Sequence, residues 1–280
     1  MAERTSRTGS ALVPHCAEGA LAAGLMASTS KHYKGDCEWL NVVGVGAAPQ
    51  CAARDAHVAK GRPVACWDMA YLGKTKDLVQ CYVRVSLNTD HPTHEAIEAT
   101  EPDPKRFNKF GVLMEDGHYR PDGHVLVIGM GSKSHNYLGE HDWEARTLRT
   151  MERRFPGRRI VYRPKPLPVR SKRAPDGVRW PDKSVGVSLD KALKGASLLV
   201  CRHSNSAVEA CRVGVPVECE GGAAHWLYSQ TPIPGYAERR DFLYRLLWWQ
   251  WRFHEMREAW QFLIPKATQL GLHRNIKGES

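Results

Sequence analysis

The chain lacks any run of about eighteen apolar residues, any Cys-x-x-Cys pair, any internal repeat and any low-complexity tract. Without the first, a spanning helix is not expected. Met1 to Cys16 carries charges but no uninterrupted apolar stretch before a small-residue cleavage site, so no secretory signal is read there. Without paired cysteines at metal spacing, a structural zinc site is not expected. The cysteines number eight, an even count, but in a long, core-forming chain reduced thiols and a cytoplasmic setting are the expectation. Cys66, Cys201 and Cys219 lie in or beside apolar runs and read as small buried hydrophobes.

What is present is an ordinary globular composition. The 280 residues are 42% hydrophobic and 25% charged, enough for one large domain or two modest ones. The formal charge of +10 points to an anionic partner. Between Arg146 and Lys183 there are thirteen Lys or Arg against three acids, so this one segment holds an excess equal to that of the whole chain. A solvated surface and contact with phosphates both fit.

Strand-like and helix-like patterns alternate, which predicts an α/β fold with parallel strands. Leu40–Gly46 and Pro63–Trp67 read as strands, with a helix over Cys51–Lys60 between them. A turn-rich stretch from Asn88 to Gly123 reads as a linker. Beyond it, strands are expected at His124–Ile128, Arg159–Arg163, Ser197–Cys201 and Val215–Cys219, with helices at Trp143–Phe155, Leu189–Leu193 and Ala207–Val213. From Glu238 to Leu263, the residues Phe242, Leu246, Trp249, Phe253, Met256, Trp260 and Leu263 step by four and three. That spacing predicts one long amphipathic helix.

The stretch from Val200 to Pro216 carries the most chemistry. A buried strand runs into the polar loop His203-Ser204-Asn205-Ser206 and then into a helix, a junction whose unpaired N–H groups suit a diphosphate. Glu209 could accept from ribose hydroxyls. Ser206 and Glu209 equally fit a capping box, and Gly214 with Pro216 fits a helix stop. Gly129-Met130-Gly131 after a strand is an incomplete glycine fingerprint, since residue 134 is serine. No acid closes a following strand, which speaks against a dinucleotide oxidoreductase. Arg163 and Lys165, at a strand end, could pair with phosphate oxygens or sit in a solvated turn.

Three pieces of this pattern resemble the nucleotide-sugar lobe of GT-B glycosyltransferases and of the related nucleotide-sugar 2-epimerases. They are the strand and glycine loop His124–Lys133, the Arg-Pro-Lys-Pro run at 163–166 known from capsule-type and phage-encoded transferases, and the 203–216 segment. The resemblance covers about residues 124–228 and implies two Rossmann-like doubly wound lobes. These would be an acceptor-side lobe at 1–115, a nucleotide-sugar lobe at 116–236, and the long helix at 237–280 packing across them. It implies that Gly129, Gly131, Ser132, Lys133, Arg163, Lys165, His203, Ser204, Asn205, Ser206 and Glu209 hold the donor, a UDP-sugar co-substrate with no bound cofactor.

In the first lobe, Asp68 follows a buried strand where a base for the acceptor hydroxyl would be needed, with His91 as the alternative base. Tyr71, Arg84 and Asn88 are the candidate acceptor-binding residues. No Asp-x-Asp motif stands in a suitable place, so no metal is expected. The basic segment and the likeness to phage-type sequences make a hydroxylated pyrimidine in DNA the expected acceptor. A 2-epimerase and a non-catalytic nucleic-acid-binding protein are the competing readings.

Overall fold

In the computed structural model, residues 7–30, 33–44, 48–73, 80–165, 182–183 and 187–272 are described, with backbone alone at 7–10, 132–133 and 182–183. In chain order the elements are α1 (Arg7–Ala22), β1 (Leu40–Val43), α2 (Ala48–Val58), β2 (Val64–Met69), β3 (Tyr82–Leu87), α3 (His94–Glu98) and α4 (Pro104–Asn108). There follow β4 (His124–Ile128), α5 (Ser132–Leu138), α6 (Trp143–Arg154), β5 (Ile160–Arg163), β6 (Asp182–Lys183), α7 (Leu189–Leu193), β7 (Ala196–Cys201), α8 (Ser206–Arg212), β8 (Val217–Cys219) and α9 (His225–Gln230). The chain closes with α10 (Tyr236–Leu246), β9 (Gln250–Arg252) and α11 (Met256–Gln269). Two compact units result, one from residues 1–111 with 244–280 and one from 112–243.

The first unit holds a four-stranded sheet in the order β1-β2-β3-β9. Residues alternate across it as a strand requires. Ala65, Trp67, Val83 and Val85 face a core with Leu12 and Cys16 of α1 and Met256, Trp260 and Leu263 of α11. Val64 and Cys66 point the other way, with Val42 and Val58. Helices α1 and α11 approach closely enough that a Cβ on Gly19 would lie 2.4 Å from Cβ of Met256. Only β1 and β2 run parallel, and β3 is antiparallel to both β2 and β9. The doubly wound first lobe expected from the sequence is therefore not formed. All six residues of β3 are buried, so it is a central strand, and the chain's C-terminal part supplies its second neighbour.

The single long helix expected at 238–263 is also not formed. It is interrupted after Leu246 by a short 3-10 turn and by β9. The predicted stripe from Phe242 to Leu263 is nonetheless buried throughout, and Trp251, which lies off that stripe, is buried too. Packing explains the break. Helix propensities among ordinary residues differ by at most ~0.7 kcal/mol, whereas burying a large apolar side chain contributes about 1.5–3 kcal/mol. A strand at 250–252 lets Trp249 and Trp251 both be buried. It also puts the Gln250 carboxamide where its oxygen accepts the N–H groups of Tyr71 and Leu72.

The second unit is a five-stranded sheet, all parallel, in the order β6-β5-β4-β7-β8. Counted within the unit this is 3-2-1-4-5, the doubly wound order whose direction of winding reverses between β4 and β7. Val125, Val127, Ile160, Tyr162, Leu198 and Val200 pack with Trp143, Leu148 and Met151 of α6. The helix stop read at 214–216 is present: Gly214 has φ +78°, and Val215 N–H donates to Ala210 C=O at 3.0 Å. Much of the basic segment, residues 166–181, lies outside the described residues. Among the described residues no helix is long and apolar enough to cross a membrane, and none of the eight cysteines is in a disulfide.

Replacing Gln250 by leucine is expected to leave the Tyr71 and Leu72 N–H groups buried without an acceptor. Each such group costs about 1–3 kcal/mol, so chemical denaturation followed by tryptophan fluorescence should report a loss of about 2–5 kcal/mol. A loss under 1 kcal/mol would mean that these bonds do not hold β9 in place.

Candidate functional site

In the second unit, the loops after β4 and β7 open at the point where the winding of the sheet reverses, the place where doubly wound sheets receive ligands. Gly129 directly follows β4, and its N–H donates to the carbonyl of Arg163 at 2.9 Å. A Cβ at Gly129 would lie 2.4 Å from the Tyr162 hydroxyl oxygen, so no larger residue fits without displacing it. Burial pushes the Tyr162 hydroxyl pKa up, and the negative charge of Glu144 adds to the effect. Gly131 caps α5 in an extended conformation. Ser132 and Lys133 open that helix, and their side chains lie outside the described residues. Lys165 is exposed and its stem runs beside Gly131. Arg163 is half-buried, donates to the Val187 carbonyl at 2.6 Å, and has its pKa lowered by burial.

Behind the glycine loop is a hydrogen-bonded network that the sequence reading missed. Met130 N–H donates to Glu144 Oε1 at 2.8 Å, and His135 Nε2 lies 2.9 Å from the same oxygen. The other ring nitrogen of His135 is 2.7 Å from the Glu140 carbonyl. Both nitrogens thus lie against oxygen atoms, the Glu144 carboxyl and the Glu140 carbonyl.

The Glu140 carboxylate in turn takes two bonds from Arg202, at 2.9 and 3.0 Å. Arg202 also lies 3.3 Å from Glu220, which accepts from the Trp143 indole at 2.8 Å. The Arg202 hydrogen bonds hold the Glu140 carboxyl below its usual range, and Glu140 raises Arg202. These contacts join the loops after β4, β7 and β8. An arginine directly after the β7 run, one residue before His203, was the available signal.

In the 203–206 loop, Ser204 Oγ accepts from Ser206 N–H at 3.2 Å and donates to Ser206 Oγ at 3.1 Å. Asn205 is the N-cap residue and makes no side-chain cap bond. The capping box of Ser206 with Glu209 is not formed. Glu209 lies 3.3 Å from Arg212, whose guanidinium also meets Glu115 and Asp190. Gly221 and Gly222 pass close to Arg202 and His203.

The first unit gathers four of its five candidates. Asp68 Oδ2 is 3.0 Å from Nη2 of the buried Arg84, and Asp68 Oδ1 accepts from Met69 N–H at 2.7 Å. Arg84 also donates to the carbonyls of Met69 and Asp90. His91 Nδ1 lies 2.9 Å from the Tyr71 hydroxyl and 3.2 Å from Arg84 Nη1. Tyr71 is fully buried, and burial pushes its pKa up to about 12. The polar atoms of Tyr71 and Arg84 are thus turned inward, to Asp68, His91 and the carbonyls of Met69 and Asp90.

Asn88 stands apart and has a structural task. It adopts φ +62° and its side-chain oxygen accepts from Val64 N–H at 2.7 Å, fixing the start of β2. Asp90, which the sequence reading did not name, pairs with Arg54. Burial raises its pKa, against the pull of Arg54 and Arg84. Among the described residues no group of three or more His, Cys, Asp or Glu could hold a metal ion.

No protein-family model and no curated protein matches the chain. It is similar to two solved structures of KpsC from Thermosulfurimonas dismutans. The first, a beta Kdo 2,4 transferase, is 14% identical over 88% of this chain and 89% of that one, with a TM-score of 0.48. The second, a beta Kdo 2,7 transferase, is 15% identical over 67% of this chain and 70% of that one, with a TM-score of 0.43. With both scores below one half, these likenesses decide neither fold nor chemistry.

Replacing Glu144 by alanine should strip the acceptor from Met130 N–H and the partner from His135 Nε2, lowering stability by about 2–4 kcal/mol in denaturant titrations. Glutamine keeps an acceptor oxygen for Met130 and should lose less. Equal losses for the two substitutions would show that the bond to Met130 does not hold the glycine loop.

Proposed function

We propose that the chain is a glycosyltransferase that moves a sugar from a nucleotide sugar, a UDP-sugar, to an acceptor hydroxyl. The observation that carries this reading is the 3-2-1-4-5 parallel sheet of the second unit, in which the two loops flanking the switch point are those with the sequence resemblance, 129–133 and 203–206. In this reading the glycine loop and the 203–206 loop receive the diphosphate, with Arg163 and Lys165 as cations beside it and Glu209 toward the ribose. Glu209 would exchange its contact with Arg212 for that role. Transfer is a displacement at the anomeric carbon. The acceptor oxygen forms the new bond as the bond to the diphosphate breaks, and the electron pair leaves on the phosphate oxygen. Asp68 of the first unit, 3.0 Å from Arg84, takes the acceptor's proton. No resident cofactor or metal enters the scheme.

The acceptor we propose is a hydroxylated pyrimidine in DNA. The +10 charge supports it, as do the exposed Arg146, Arg149 and Arg153 of α6.

Calorimetric titration with UDP is the direct test of the donor reading. Glu209→Ala should weaken binding about tenfold or more, while its effect on stability stays within the ~0.5–2 kcal/mol of a helix-start contact. Unchanged affinity with lowered stability would leave Glu209 a purely structural residue. In a transfer assay with UDP-glucose and duplex DNA carrying 5-hydroxymethylcytosine, Asp68→Asn should lower turnover by about 10²–10⁴-fold with UDP binding intact. Full activity in that variant would remove Asp68 as the base.

The DNA reading has its own test. Binding to a duplex should weaken steeply with salt, with a log–log slope of about −0.9 for each phosphate contacted. No binding at low salt, or binding insensitive to salt, would exclude DNA as the partner.

A further inference from the structure

Two thiols of the second unit stand side by side. β7 and β8 run parallel, and Cys201 is in register with Cys219 at their C-terminal ends. Register partners on neighbouring strands point to the same face of a sheet. Neighbouring strands lie about 4.8 Å apart, inside the ~4.4–6.8 Å Cα separation that a disulfide spans. A hydrogen bond between the two thiols, together with burial, pushes the Cys219 pKa far above the usual thiol range. The resting pair is therefore a protonated dithiol.

The residues around the sulfurs supply both alignment and access. Arg202 follows Cys201, Glu220 follows Cys219, and these two side chains are 3.3 Å apart, so an ion pair already joins the strand ends. Both cysteines line a cavity of about 370 Å³, together with Met151, Val217, His225 and Ser229. His225 and Ser229 are exposed, so the cavity reaches the surface. Cys201 is buried, whereas Cys219 is partly exposed. A small oxidant entering there meets Cys219 first, with Cys201 behind it.

We propose that Cys201 and Cys219 are a modification site for peroxide, which closes them into a disulfide that clamps the edge strand β8 to β7. The Cys219 sulfur attacks the peroxide, the O–O bond breaks, and a sulfenic acid forms as one water leaves. The Cys201 sulfur then forms the S–S bond and displaces the sulfenic oxygen as a second water. Two thiols and one hydrogen peroxide thus give one disulfide and two waters, with two electrons passing from sulfur to oxygen. The strand gained by this clamp is short. β8 has three residues, stands at the end of the sheet and is paired to β7. The ring so closed, from 201 to 219, contains the 203–206 loop and α8. None of this depends on the transferase reading.

Two measurements on the full chain test the site. The reduced protein is treated with hydrogen peroxide at about pH 8, where more of a thiol is ionised than at neutrality. Remaining thiols are blocked and the chain is cut with trypsin. The peptide 195–202 should be recovered joined to 213–239, while Cys211, in peptide 203–212, reports any other pairing. Cys219→Ser should abolish the link and Cys211→Ser should leave it in place. Cys201 joined to another cysteine overturns the proposal. So does recovery of Cys201 and Cys219 as free thiols or as separate sulfinic acids.

The clamp itself is read in denaturant titrations. Oxidation should lower the unfolding equilibrium constant about 30-fold or more, dithiothreitol should reverse the change, and Cys219→Ser should not show it. A mapped Cys201–Cys219 link that leaves unfolding unchanged would overturn the clamp.

Discussion

The guanidinium of Arg84 is the constraint around which the first unit is arranged. It is buried on β3, and a buried cation is tolerated only when its N–H groups and its charge are matched. The matches come from two parts of the chain. Asp68 lies at the end of β2, the Met69 carbonyl follows it, and the Asp90 carbonyl and His91 return from the loop after β3. The backbone of Arg84 is in register with Asp68 on one side and Gln250 on the other. The same strand position that gathers the polar cluster also accepts β9, and Gln250 then secures the chain at Tyr71 and Leu72.

A second buried arginine ties that C-terminal part down. Arg106 donates to the carbonyls of Leu247 and Gln250, pairs with Glu255 at 3.2 Å and lies over the Trp251 ring at 4.0 Å. A guanidinium stacked on an indole with its edges hydrogen-bonded is matched both in charge and in shape. It satisfies the carbonyls at the helix-to-strand break, which is how the chain can leave a helical pattern there without exposing unpaired backbone.

The second unit solves a different problem. Its loops at the switch point are fixed in one shape by side chains from the elements behind them. Gly129 gives way to the Tyr162 hydroxyl, and Glu144 holds Met130 from beneath. The chain of contacts through His135, Glu140, Arg202 and Glu220 then joins three loops with mostly charged bonds. Such bonds are stronger than neutral ones and directional, so they set the loop geometry.

The sequence alone determined four of the five parallel strands of the second unit, because β4, β5, β7 and β8 are short apolar runs closed by Gly, Pro and polar loops, whereas the two-residue β6, Asp182–Lys183, carries no such pattern. It also determined which C-terminal residues are buried, because a stripe at steps of three and four marks burial whatever backbone it adopts. Only the tertiary structure decided that this stripe is broken by β9. A helix and a strand compete there through cross-strand pairing with Val83 and Arg84, residues some 170 positions earlier in the chain. Asp68, Tyr71, Arg84 and His91 could be named one by one as polar residues near strand ends. Their partners, the buried state of two of them and the structural task of Asn88 depend on antiparallel register, which local pattern does not encode. Arg202, Glu140, Glu144 and His135 went unread for the same reason: each is an ordinary charged residue until folding places its partner within 3 Å.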